Sequence, residues 1–147
     1  MDTQERIIRA ALDFFNRFGI KAVTMDFLAG QLGISKRTIY EHFQSKDELL
    51  AVCLKMRFRD HQQRIRHIVD QADHIIEALY HISLQSRDRH QEINPLFIYD
   101  LRKFYPSLYQ EILKTGNFKS DSVINTMLEK GIAQGIFDPN LNMKIVV

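Results

Sequence analysis

Residues 24–46 read TMDFLAGQLGISKRTIYEHFQSK, and the rest of the chain is organised around them. Thr24 is a candidate N-cap, and Met25, Phe27, Leu28 and Leu32 follow at helical spacing. Gly33 stands where a C-cap glycine stands, since glycine enters the left-handed region without steric cost. Ser35 caps again, and the spacing predicts a second short helix over residues 36–43. Two short helices joined by a glycine-containing turn form a helix-turn-helix, whose second helix lies in the DNA major groove in proteins that bind this way.

The second helix divides by face. Ile39 and Phe43 form an i,i+4 apolar pair and turn inward. Arg37, Thr38 and Glu41 lie on the opposite face, with Tyr40 and His42 on its two flanks and Lys36 in the first turn. A groove reader needs that division. Short or bidentate polar groups in the middle meet base edges, and longer donors on the flanks meet the phosphate walls. Glu41 would repel phosphate, so it is expected to accept from a cytosine amine or to exclude wrong sites.

The run LGISKRTIYEHFQSKDELL resembles the helix-turn-helix of TetR/AcrR-type transcriptional regulators. That family shows an apolar-Gly-apolar-Ser turn, a Thr-apolar-Tyr-x-His-Phe helix and a Ser-Lys-x-x-Leu opening to the next helix. Leu32, Gly33, Ile34, Ser35, Thr38, Ile39, Tyr40, His42, Phe43, Ser45, Lys46 and Leu49 all fall in register with it. The specific resemblance covers about residues 4 to 50. It implies DNA contacts from Thr24, which also caps, and from Lys46 at the start of the third helix. Taken with the helix faces, the expected DNA-binding residues are Thr24, Ser35, Lys36, Arg37, Thr38, Tyr40, Glu41, His42 and Lys46.

Working outward, residues 3–18 carry a broad apolar stripe of Ile7, Ile8, Ala11, Leu12, Phe14, Phe15 and Phe18, ended by Gly19. Asp2 and Glu5 suggest a capping box. Gly30 interrupts the first motif helix, at a cost of about 1 kcal/mol relative to alanine, and is expected to let the two motif helices pack closely. Ser45 and Glu48 open a long helix to about residue 66, with Leu49, Leu50, Cys53 and Met56 inward. A break is expected near residues 70–73, then a helix over about 74–86 and a polar loop over 86–94. Pro95 suits a first helical position. Further helices are expected over about 95–104 and, as one run weakened at Gly116-Asn117, over 107–134. Gly135 ends that run, FDPN makes a turn, and LNMKIVV opens something apolar.

The 147 residues are 45% hydrophobic and 26% charged, with three prolines, six glycines and no alternating stretches. An all-α fold is favoured. It is expected to comprise a helix-turn-helix domain at 1–46 and a helical regulatory domain at 47–147 that looks C-terminally incomplete. There is no apolar run near the length of a membrane span and no signal-peptide core. One cysteine, Cys53, allows no internal disulfide and fits a reducing cytoplasm.

Charge alone does not mark a nucleic-acid binder. Residues 1–50 carry seven basic groups (Arg6, Arg9, Arg17, Lys21, Lys36, Arg37, Lys46) and seven acidic ones (Asp2, Glu5, Asp13, Asp26, Glu41, Asp47, Glu48). The case rests on where Lys36, Arg37 and Lys46 are placed. The basic run Lys55, Arg57, Arg59, Arg64 and Arg66 is read as a solvated face. His67, His74 and His81 recur every seven residues, which on a helix is roughly 10 Å of rise and too far for one metal ion. No phosphate loop, nucleophile elbow or metal-ligand cluster points to an enzyme, and no cofactor is expected.

The resemblance implies a homodimer on a near-palindromic operator, a small-molecule effector held by the later helices, and release from DNA when the long helix capped by Ser45 shifts. Phe97, Tyr99, Phe104, Tyr105 and Tyr109 are candidate pocket residues, although core packing explains most of them equally well. A repressor is the preferred reading. A transcriptional activator, or an interaction scaffold that retains the motif, is the alternative.

Overall fold

The computed structural model describes residues 2–92, 94–116 and 123–140. Among these residues the chain is helical: α1 (Thr3–Phe18), α2 (Met25–Leu32), α3 (Lys36–His42), α4 (Lys46–Gln71), α5 (Ile75–Glu92), α6 (Pro95–Phe104), α7 (Pro106–Gly116) and α8 (Val123–Ala133).

Helix starts follow the caps. Thr24 Oγ1 accepts from the Phe27 N–H at 3.1 Å, Ser35 Oγ from Thr38 at 3.0 Å and Ser45 Oγ from Glu48 at 3.1 Å. Each bond satisfies one of the amides left open at a helix start. The Glu48 carboxylate reaches back to accept from the Gln44 N–H at 2.7 Å, one residue before the Ser45 amide that a capping box uses. At α1, Asp2 accepts from Gln4, but Glu5 turns instead to Arg9 at 2.7 Å, so the reciprocal half of the expected box is absent. Gly33 has φ 65°, the left-handed C-cap that the sequence implies.

Three expectations are corrected. The polar stretch after residue 86 is not a loop, because α5 runs on to Glu92. The stretch holds no glycine or proline, and Arg and Gln are good helix formers, so polarity alone does not stop a helix. The α4 helix likewise continues past residue 66 to Gln71. Gly30 does not serve close packing: a Cβ there would meet nothing within 4 Å. The expected single run over 107–134 is described as α7 and α8, with residues 117–122 and the LNMKIVV end outside the described residues.

The chain divides into two compact units, Met1–Arg57 with Ile93–Glu111, and Phe58–Glu92 with Ile112–Val147. In the first, Ile7, Ala11, Phe15, Ile20, Val23, Leu28, Ile39, Phe43, Leu49, Leu50 and Cys53 are buried, joined by Phe97 and Leu101 of α6. Phe14, Phe18 and Phe27 cluster with ring centroids 5.2–6.1 Å apart, edge-on across α1 and α2. In the second, Val69, Ala72, Ile75, Ala78 and Val123 form a core, with Ile65, Ile68, Ile82, Met127 and Phe137 packed against it.

The second unit ties its turn with side chains from far along the chain. Lys130 Nζ donates to the Val69 carbonyl at 2.7 Å and to the Ala72 carbonyl, where α4 ends. Gln134 donates to the Asp73 carbonyl and accepts from the Ile75 N–H, so it also caps α5.

Candidate nucleic-acid interface

In the first unit, α2 and α3 pack against each other, and α1 packs against α2 and α6. Ile39 and Phe43 are fully buried, so the apolar pair fixes how α3 is rotated. Its other face is left to solvent. Arg37 is the most open of the group, with 86% of its side chain exposed, and Tyr40 is 44% exposed. Lys36, Glu41 and His42 are exposed and Thr38 is partly so. Thr24 and Ser35 are exposed as well, although their hydroxyls are already engaged as caps.

The charged groups are paired within the chain. Lys36 Nζ lies 2.8 Å from Asp26 Oδ2 on α2 and 6.0 Å from the Tyr40 ring centroid. The hydrogen bond that Lys36 donates to the Asp26 carboxylate holds its pKa above the ordinary lysine value. Arg37 Nε donates to Glu41 Oε1 at 3.1 Å. That contact uses the inner edge of the guanidinium fork. The pairing was not foreseen for Glu41, which was read as facing the groove centre alone.

Lys46 stands apart. It is only partly exposed, and its Nζ lies 5.9 Å from the Phe15 ring centroid. Burial pushes its pKa below the lysine range, against the opposing pull of Asp100 and Asp47. Thus Ser35, Lys36, Arg37, Thr38, Tyr40, Glu41 and His42 sit together on and around α3, while the Lys46 ammonium lies over the core of the same unit.

Sequence reasoning missed Asp100. It is 4% exposed, and its Oδ2 accepts from the Lys21 N–H at 2.8 Å. Asn94, which caps α6, donates through its backbone N–H to Asn16 Oδ1 and through Nδ2 to the Arg17 carbonyl, both at 3.2 Å. Gly19, with φ 82°, lies under this contact, and a Cβ there would come within 2.9 Å of Asp100 Oδ2 and of Leu96. An acid in the middle of an otherwise apolar helix was the available signal, since such a residue needs a partner when buried.

A groove of about 390 Å³ is lined by Asp47, Ala51, Phe104, Tyr105, Pro106, Ser107, Leu108 and Glu111. Its two carboxylates disfavour anions. Of the candidate pocket aromatics, Phe104 and Tyr105 line it, Phe97 is buried in the core, and Tyr99 is exposed with its hydroxyl bonded to Lys103.

Similarity to known proteins falls on the same segment. The family described as "Bacterial regulatory proteins, tetR family" matches residues 7–53, which span α1 to the first turns of α4. Residues 7–53 thus match the TetR family, and that match together with the similar regulators supports a DNA-binding transcriptional regulator of that type. It is 27% identical over 143 residues to the HTH-type transcriptional regulator YhgD of Bacillus subtilis, covering 95% of this chain and 74% of that one. It is 25% identical over 146 residues to the HTH-type transcriptional repressor KstR2 of Mycolicibacterium smegmatis, covering 97% and 71%. The fold matches that of FadR from Bacillus subtilis, solved in complex with stearoyl-CoA, with a TM-score of 0.63 at 23% identity over 96% of this chain and 77% of that one. Among the described residues, no helix is long and apolar enough to cross a membrane.

Proposed function

We propose that this regulator is a repressor that binds a near-palindromic operator as a homodimer and is released by a small molecule. The observation that carries the reading is the buried Ile39–Phe43 pair, which turns Arg37, Thr38 and Glu41 outward as one face of α3. Two such heads related by two-fold symmetry read half-sites about one helical turn apart. Residues 1–46 act as the reading head and residues 47–147 as the regulatory and dimerisation part, working in the cytoplasm.

The residues divide by task. Arg37 and Thr38 meet base edges, and Glu41 takes part by holding Arg37. Lys36, Tyr40 and His42 meet the phosphate walls, as do Thr24, Ser35 and Lys46 at the helix starts. Lys46 must swing outward from Phe15 to do so. The effector acts by binding the non-operator state more tightly than the operator-bound one. Acyl-CoA thioesters are the first class to screen, because FadR of Bacillus subtilis was solved with stearoyl-CoA. The reading includes no catalytic step.

Selection from random duplex DNA, repeated with acyl-CoA esters, tests the reading. The expected result is enrichment of an inverted repeat that is lost when the effector is added. Enrichment of no sequence would favour an interaction scaffold that retains the motif. Loss of target expression on deletion of the protein would favour an activator.

A further inference from the structure

Residues 1–50 balance seven basic groups against seven acidic ones, and the two cations at the start of α3 are each held by a carboxylate. One of these pairs crosses from the recognition helix to another helix. Lys36 opens α3, and its ammonium is held 2.8 Å from the Asp26 carboxylate on α2, ten positions earlier. Both side chains are at least half exposed. The Tyr40 ring lies on the same flank. In this pose Lys36 is drawn back toward α2.

We propose that Asp26 competes with DNA phosphate for Lys36 and so attenuates the phosphate-driven part of DNA binding. The inference rests on the DNA-reading function of α3. Binding to random sequence is driven by phosphates neutralised and counterions released. A lysine that already holds a carboxylate gains less from exchanging it for a phosphate. The charge-assisted contact is short, but an exposed pair of this kind is weak enough for DNA to break. Operator binding draws additionally on base contacts from Arg37 and Thr38, which do not involve Asp26. Asp26 therefore subtracts the same free energy from both, and random binding, which has no base contacts to add, is the cleaner place to measure it.

The test uses Asp26→Asn in the full chain, with a random duplex and the selected operator, followed by fluorescence anisotropy across a salt series. Affinity for the random duplex is expected to rise about threefold or more near 0.1 M salt, and the log–log salt slope to steepen by about one. Operator affinity is expected to rise by a similar factor, because Lys36 meets phosphate in both complexes. In a Lys36→Gln background the same Asp26→Asn change is expected to alter random binding less than about twofold, because the contested cation is gone.

Three results would overturn the proposal: an unchanged slope, an equal gain in both backgrounds, or weaker random binding with an unchanged melting temperature. An equal gain would mean general repulsion by Asp26 rather than competition for Lys36. Failure of the unmodified chain to enrich any operator would sink the DNA-reading function itself. An enriched operator with an unaltered Asp26→Asn salt response would sink only this inference.

Discussion

Asp100 of α6 accepts the backbone N–H of Lys21 at 2.8 Å, joining positions 79 residues apart in the chain. A carboxylate this deeply buried needs its hydrogen bonds, and the Lys21 amide needs an acceptor. Asp100→Ala is expected to cost about 1–3 kcal/mol of stability, read as a lower urea midpoint. Asp100→Asn keeps an acceptor oxygen and should lose clearly less. Equal losses in the two variants would mean that the hydrogen bond is not what makes the site matter.

Two glycines should respond in opposite directions. Gly19 has φ 82°, and a Cβ there would press on Asp100 and Leu96. Gly19→Ala is therefore expected to destabilise by about 1–3 kcal/mol. Gly30 sits in the interior of α2 with open space around it and no positive φ. Gly30→Ala should stabilise by about 0.4–1 kcal/mol through a less disordered unfolded chain. Thermal melts of the two variants beside the parent decide both cases.

Cys53 is fully buried, its Sγ–H points to the Ile8 carbonyl at 3.5 Å, and burial pushes its pKa up to about 12. The folded chain should resist thiol alkylation at pH 8 and be labelled at once in denaturant. The linkage has a definite sign. The folded pKa lies above the unfolded one, so the contribution to stability is complete below the ordinary thiol pKa near 9. It is lost as pH rises from there toward about 12. Denaturation midpoints of the parent and Cys53→Ala across this window should converge as the parent loses that contribution.

On the proposed reading of α3, Arg37 and Glu41 act as a pair. Glu41 occupies Nε of Arg37, which leaves the two terminal nitrogens of the fork to approach a guanine edge. Arg37→Ala is expected to cost about 1–3 kcal/mol at particular base pairs and little at others. Glu41→Gln should relax preference at those same positions. A shift at different positions would show Glu41 reading a base of its own, as its sequence position alone suggests.

What could be read from the sequence was local. Thr24, Ser35, Ser45 and Gly33 bond within a few residues, so their types and spacing announce the helix ends. The inward Ile39–Phe43 pair follows from helical periodicity. Partners brought together by folding left no such trace. Asp100 and Lys21, Asn94 and Asn16, and Lys130 and the end of α4 are separated by about sixty residues or more. Lys36 could be placed on the second motif helix, but not bound to Asp26, because the turn between the helices sets their approach. Gly30 was misread because a helical glycine has several causes and only the surrounding space separates them. The end of α5 was misread because polar composition resembles a loop unless a breaker is required to end a helix.

The polar clasp between α1 and α6 also bears on the order in which the protein is made. Asn16, Gly19 and Lys21 are synthesised long before Asn94, Leu96 and Asp100. A nascent chain can close the caps of its first helices at once, yet the side of α1 meant for α6 must wait, apolar and unsatisfied, until α6 has emerged. The reading head is first in sequence, yet it cannot be finished until α6 has emerged. That interval exposes it to proteases and chaperones, and a substitution at Gly19 or Asp100 would lengthen it.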